Sequence, residues 1–274
     1  MNNEQQVQGN ETNQVQAEEN VPQPLPAIPE EGYPTRLPII IKGVKPSFTY
    51  GILALTIAVF ILQEGSAALI GFDLAAAMGM KINQLIHRGE VWRLITPIFL
   101  HGSILHIGLN MYALYLVGQS LEPPYGHIRF LGLYVLAGFC GNVFSTLFSP
   151  YPSLGSSTAI FGLIAAQGVF VLKNREYFGS RAQRILINIA MIAAINFIIG
   201  LSPGIDNWGH LGGFLGGAFM AWFVGPTLHG QVVQTGEGLA LILEDERSTS
   251  DQLIAGLAVT CILVGLSAWA IFLR

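Results

Sequence analysis

Seven predominantly apolar stretches, each near the ~20 residues that cross a bilayer, dominate this chain and leave little polar sequence between them. They lie at about Phe48–Gln63, Leu100–Val117, Ile128–Phe148, Ser157–Leu172, Ala182–Leu201, Gly209–Val224 and Leu253–Phe272. Only 11% of the 274 residues are charged, against roughly 25% in soluble domains, and the mean hydropathy is +0.52. The expected fold class is all-α: a polytopic transmembrane helical bundle in a lipid bilayer.

The ends of the bundle differ from it in composition. Residues 1–46 form an acidic, Pro-rich segment, with six acids (Glu4, Glu11, Glu18, Glu19, Glu30, Glu31) ahead of its first base, Arg36. Such a segment buries too little apolar area to offset its ordering entropy, so it is expected to be disordered. It lacks the basic start and apolar stretch of a signal peptide. Asn10-Glu11-Thr12 matches a glycosylation sequon, which a cytoplasmic tail would leave unused. Residues 47–226 make the expected core, 227–252 a linker and 253–274 an extra carboxy-terminal helix. The connection from Glu64 to Phe99 is long for a compact bundle, which marks it as functional; its Ala67-Ala68-Leu69-Ile70 patch suggests that part of it lies in the membrane interface.

Charge sets the expected orientation. With the amino terminus inside, nine of the 13 Lys and Arg residues fall on the inner side, as the positive-inside rule requires. The expected location is the plasma (inner) membrane with a cytoplasmic amino terminus. Ser157 and His210 then both open segments at the outer side. Beyond the tail the chain is close to neutral, which points away from a nucleic-acid partner. Nothing in the sequence sets an oligomeric state.

Three stretches carry polar groups where lipid usually excludes them, and such groups are functional candidates. In His101-Gly102-Ser103-Ile104-Leu105-His106-Ile107-Gly108-Leu109-Asn110, His106 and Asn110 are four apart and share a helix face. Alone they read sooner as polar glue between helices. Gly155-Ser156-Ser157-Thr158 opens the fourth segment, where a hydroxyl can serve as an N-cap. In the sixth, Gly209, Gly213 and Gly217 repeat every four residues and form a groove that admits a neighbouring backbone. That groove could bring His210 within reach of Ser157, pairing a hydroxyl with a base. Asp206, four residues before His210, reads as a cap on that helix rather than a third catalytic group.

Taken together, Trp92-Arg93, His101…His106…Asn110, Gly155-Ser156-Ser157 and Gly209-His210 with Gly213 and Gly217 resemble the rhomboid family of intramembrane serine proteases. The resemblance covers about Phe48 to Val224. It implies a six-helix catalytic core, with Ser157 as nucleophile and His210 as general base. His106, Asn110 and the Ser157 backbone amide would form the oxyanion hole. Phe161 would pack on the histidine, and Trp92, Arg93 and Glu122 would be structural. Expected partners are transmembrane protein substrates. Two positions depart from the family pattern: Ser156 stands where a small apolar residue is common, and Thr158 where glycine is. Both leave room for competition between hydroxyls or a narrower site.

No cofactor or metal is implied. Cys140 and Cys261 both lie in apolar segments as small hydrophobes, and neither Cys-x-x-Cys nor His-Glu-x-x-His occurs. The rival from another class is a catalytically inert relative that binds membrane proteins and steers their trafficking or degradation. A transporter fits less well, since the spans carry too few charges to trace an ion path.

Overall fold

The computed structural model describes residues 37–236 and 238–273. The expected tail over 1–36, with its sequon, lies outside the described residues. Seven long helices follow the apolar stretches: α1 (Ser47–Ile70), α4 (Ile104–Tyr125), α5 (His127–Phe148), α6 (Ser157–Lys173), α8 (Ser180–Ile199), α9 (Asn207–Val224) and α10 (Thr249–Ala268). Three short helices join them: α2 (Leu74–Gly79), α3 (Asn83–His87) and α7 (Arg175–Phe178). The fold is a helical membrane bundle. Ser47–Ile70, His127–Phe148, Ser180–Ile199 and Ser250–Phe272 are long and apolar enough to span a membrane by themselves.

Helices α4, α5, α6 and α9 surround a core that includes Leu114, Leu121, Phe130, Leu133, Leu163 and Ala166. What lets α9 lie so close to α6 is the absence of side chains. A Cβ on Gly213 would strike the Thr158 carbonyl, and one on Gly217 would strike Gly162. The four-residue glycine repeat is thus a backbone-to-backbone seam. Helix α1 is tied in differently, through Glu122. The Glu122 carboxylate accepts from the Phe48 amide (2.9 Å), the Thr49 amide (2.7 Å) and the Thr49 hydroxyl (2.6 Å). Those amides open a helix and have no partner within it, so a buried carboxylate on α4 satisfies them while setting the position of α1.

Two sequence expectations are corrected here. The connection after α1 begins later than Glu64, because α1 runs on to Ile70. The Ala67-Ala68-Leu69-Ile70 patch belongs to the last turn of α1, and the remainder forms α2, α3 and two 3-10 turns, Val91–Leu94 and Thr96–Phe99. The supposed linker is a β-hairpin, β2 (Leu228–Thr235) paired antiparallel with β3 (Gly238–Asp245). The last residues of the supposed tail add β1 (Ile39–Ile41), parallel to β3, in the order β1-β3-β2. The sheet is fixed to the bundle through Arg129, whose Nη1 lies 2.6 Å from Asp245 Oδ2 and whose Nε donates to the Tyr125 carbonyl.

Candidate active site

Helix α6 starts at Ser157, two residues after Gly155, whose φ of +134° only glycine adopts without strain. A Cβ there would lie 2.8 Å from His106 Nε2 and 3.7 Å from Ser157 Oγ. One small space is therefore bordered by the hydroxyl and by an imidazole from α4. His210 enters from the first turn of α9. Its Nε2 lies 2.9 Å from Ser157 Oγ, a good hydrogen-bond distance. Phe161, one turn after Ser157, stacks on the His210 ring at a centroid distance of 4.4 Å and an interplanar angle of 14°. His210 is buried while Ser157 remains partly exposed, so the pair sits at the edge of the packed core.

His106 Nδ1 faces the Gly102 amide at 3.4 Å. That contact makes Nδ1 the acceptor and leaves Nε2 as the N–H donor pointing to the space beside Gly155. Asn110, buried one turn on, donates from Nδ2 to the His106 carbonyl at 2.9 Å. It keeps a second N–H of the same amide group. The backbone amide of Ser157 is at the first position of α6, where no intrahelical acceptor is available.

The two unusual residues flanking Ser157 point away from it. Ser156 is fully buried, and its hydroxyl lies 3.2 Å from His101 Nε2. It therefore pairs with a different histidine from Ser157. Thr158 presses its side chain into the notch left by Gly141 and Gly209. Asp206 caps α9, accepting from the Gly209 amide at 2.9 Å, and also accepts the Ser145 hydroxyl. Both its oxygens are thus engaged away from His210 Nδ1, which is buried without a partner among the described residues.

The connection between α1 and α4 is tied down by side chains that donate to its own carbonyls. Trp92 Nε1 donates to the Met78 carbonyl at 3.0 Å. The buried Arg93 donates to Ala77 and Met80 carbonyls at 2.8 Å each and pairs with Glu90 at 2.7 Å. Sequence reasoning missed three supports. Gln63 on α1 brackets His101, accepting from its amide at 3.0 Å and donating to its carbonyl at 3.2 Å. Ser145 links α5 to the α9 cap. Lys81 is completely buried, with Nζ 2.8–3.2 Å from the Ser145, Ser149 and Tyr151 carbonyls. Burial pulls that ammonium down to about 8, opposed by the Asp206 carboxylate. None of the three carried a local signal, since what Gln63 bonds at His101 is only the main chain.

A polytopic helical membrane protein with a serine–histidine contact between two spans is the class that this fold and site define. Comparison with known proteins is consistent with that class: the Rhomboid domain matches residues 88–227. The chain belongs to the rhomboid family and is an integral membrane protein. It is 43% identical over 187 residues to the Rhomboid protease GluP of Bacillus subtilis (strain 168), covering 68% of this chain and 36% of that protein. RHOMBOID-like protein 1 of Arabidopsis thaliana is 38% identical over 146 residues, 53% of this chain and 37% of the relative. Inactive RHOMBOID-like protein 8 from the same plant is 36% identical over 138 residues, 50% of this chain and 39% of the relative. The chain thus spans well under half the length of these relatives.

Proposed function

We propose that this chain is an intramembrane serine endopeptidase that cleaves a peptide bond in, or beside, the transmembrane segment of another membrane protein. The observation that carries this reading is the 2.9 Å contact between Ser157 Oγ and His210 Nε2. A serine hydroxyl is a weak nucleophile until a base takes its proton. As Ser157 Oγ bonds to the scissile carbonyl carbon, its proton passes to His210 Nε2, while Nδ1 keeps the ring's other proton. Negative charge develops on the carbonyl oxygen, and three donors would receive it: His106 Nε2–H, an Asn110 amide hydrogen and the Ser157 backbone N–H. Donors of this kind act only on the charge that develops, which is why they lower the barrier. Collapse breaks the C–N bond, and His210 returns its proton to the leaving amine. A water molecule, deprotonated by the same ring, then hydrolyses the acyl-serine ester.

Phe161 serves as the platform that fixes the imidazole plane. Asp206 has no part in the proton transfers, since its oxygens are committed to Gly209 and Ser145. The substrate helix has to unwind locally, because helical peptide groups are shielded by their own hydrogen bonds. The distribution of Lys and Arg supports a cytoplasmic amino terminus and a site opening to the outer aqueous side. An inert membrane-protein binder is the rival reading, favoured by one relative's name. The close serine–histidine contact speaks against it here. Cleavage of a panel of single-span reporter proteins in proteoliposomes tests the proposal. Product should form with the native chain, and its formation by Ser157→Ala would overturn the mechanism.

A further inference from the structure

At the opposite end of α6 from Ser157, ~25 Å away for a helix of this length, the chain turns through α7 into α8. An open groove of about 470 Å³ lies there, with a wall of Leu172, Ala182, Leu186, Ile187 and Ala190, and Arg175 as its charged member. Arg181 and Arg184 follow on the first turns of α8, which contain no acidic residue. All three arginines are exposed, and none has a carboxylate partner among the described residues. Lys173, by contrast, is already engaged with the Trp222 and Gly225 carbonyls at 3.2 and 3.1 Å. The one acid in the stretch is Glu176. Arg175 thus stands at an apolar slot, and Arg184 lies one turn before its Ile187 wall, on a helix that is otherwise open to lipid, with only Ala182, Ile189 and Ala193 buried; Arg181 falls on the opposite face of α8.

We propose that this groove binds an anionic phospholipid, the acyl chain against α8 and the phosphodiester headgroup between Arg175 and Arg184. Charge complementarity selects the headgroup, since guanidinium forks match phosphate oxygens in pairs. The apolar wall selects a lipid over a free anion, because inorganic phosphate would leave that wall uncovered. A basic pocket between helices at a membrane surface is a recurring lipid-recognition arrangement. The groove lies far from Ser157, so its occupancy is independent of the protease reading.

Native mass spectrometry of the full chain in mild detergent, titrated with dioleoyl phosphatidylglycerol or dioleoyl phosphatidylcholine, tests this. The native chain should prefer the anionic lipid by at least about 10-fold. Replacing both arginines (R175Q/R184Q) should weaken it roughly 30-fold, at the usual worth of a basic side chain near a lipid headgroup. Ala190→Trp keeps the charges but fills the slot, and should weaken both lipids. Equal binding of the two lipids, undiminished binding by either variant, or displacement of phosphatidylglycerol by inorganic phosphate would each overturn the proposal.

Discussion

Helices α5 and α10 are both long and apolar enough to cross a membrane, yet the protein uses them in opposite ways. In its most apolar stretch, 67% of α5 is buried inside the protein, against 11% for the segment containing α10. The α1 and α8 spans resemble α10, at 22% and 17%. Glycine placement explains the division better than hydropathy does. Gly138 and Gly141 of α5, Gly162 of α6 and Gly212, Gly213, Gly216 and Gly217 of α9 each face a neighbouring element closely enough that a Cβ would collide. Gly256 and Gly265 of α10 face open space, as do Gly51 and Gly65 of α1. Hydropathy identifies what enters the membrane, while small residues at contacts identify what packs there. Ser157 and His210 sit on two of the tightly seamed helices, where a donor–acceptor distance can be held constant. The outer helices are solvated largely by lipid and carry none of the candidate catalytic side chains.

If the seamed helices exist to hold that distance, chemistry should fail before structure when a reacting group is removed. His210→Ala is expected to lower reporter cleavage by about 10⁴-fold or more with little change in the unfolding midpoint; substantial turnover would remove it as the base. A side chain in the seam should do the reverse. Gly217→Val forces α9 off Gly162, and overpacking of ~3 kcal/mol corresponds to a fall of roughly 10 °C in detergent. The matching change Gly256→Val on α10 should leave the midpoint unmoved, and equal losses from both would erase the division drawn here. Asn110→Ala is expected to cost about 100-fold in turnover without a stability change. Asp206→Ala removes the α9 cap and should cost ~1 kcal/mol of stability, readable as a small drop in the unfolding midpoint. A turnover loss as large as that of His210→Ala would instead make Asp206 a third catalytic group.

The spans were legible because bilayer thickness fixes how much apolar sequence a helix needs, and their ends shifted by only a few residues at most termini. Helices α1 and α4 are the exceptions: α1 runs to Ile70, where Gly71, with φ +80°, supplies the stop that Gln63 did not, and α4 runs past Val117 to Tyr125, where Gly126 ends it. The sheet was not read. Its hairpin left a local trace in Gly236 and Gly238 between apolar runs, but the parallel pairing of Ile39 with Leu241 joins residues about two hundred positions apart and has no local signature. The polar residues around the site show the same division. His106, Asn110, Ser157 and His210 stood out as costly groups at membrane depth. Gln63, Lys81 and Ser145 did not, because their importance lies in carbonyl and carboxylate partners that only the tertiary fold supplies. Nor could sequence say which way Ser156 points; its pairing with His101 depends on how the chain enters α6.

Covalent labelling with a fluorophosphonate, located by peptide mass spectrometry, tests the central claim most directly. One adduct is expected on Ser157 of the native protein, forming at least roughly 100-fold more slowly in His210→Ala and absent from Ser157→Ala. An adduct on any residue of the Ser157→Ala protein at the native rate would contradict the account.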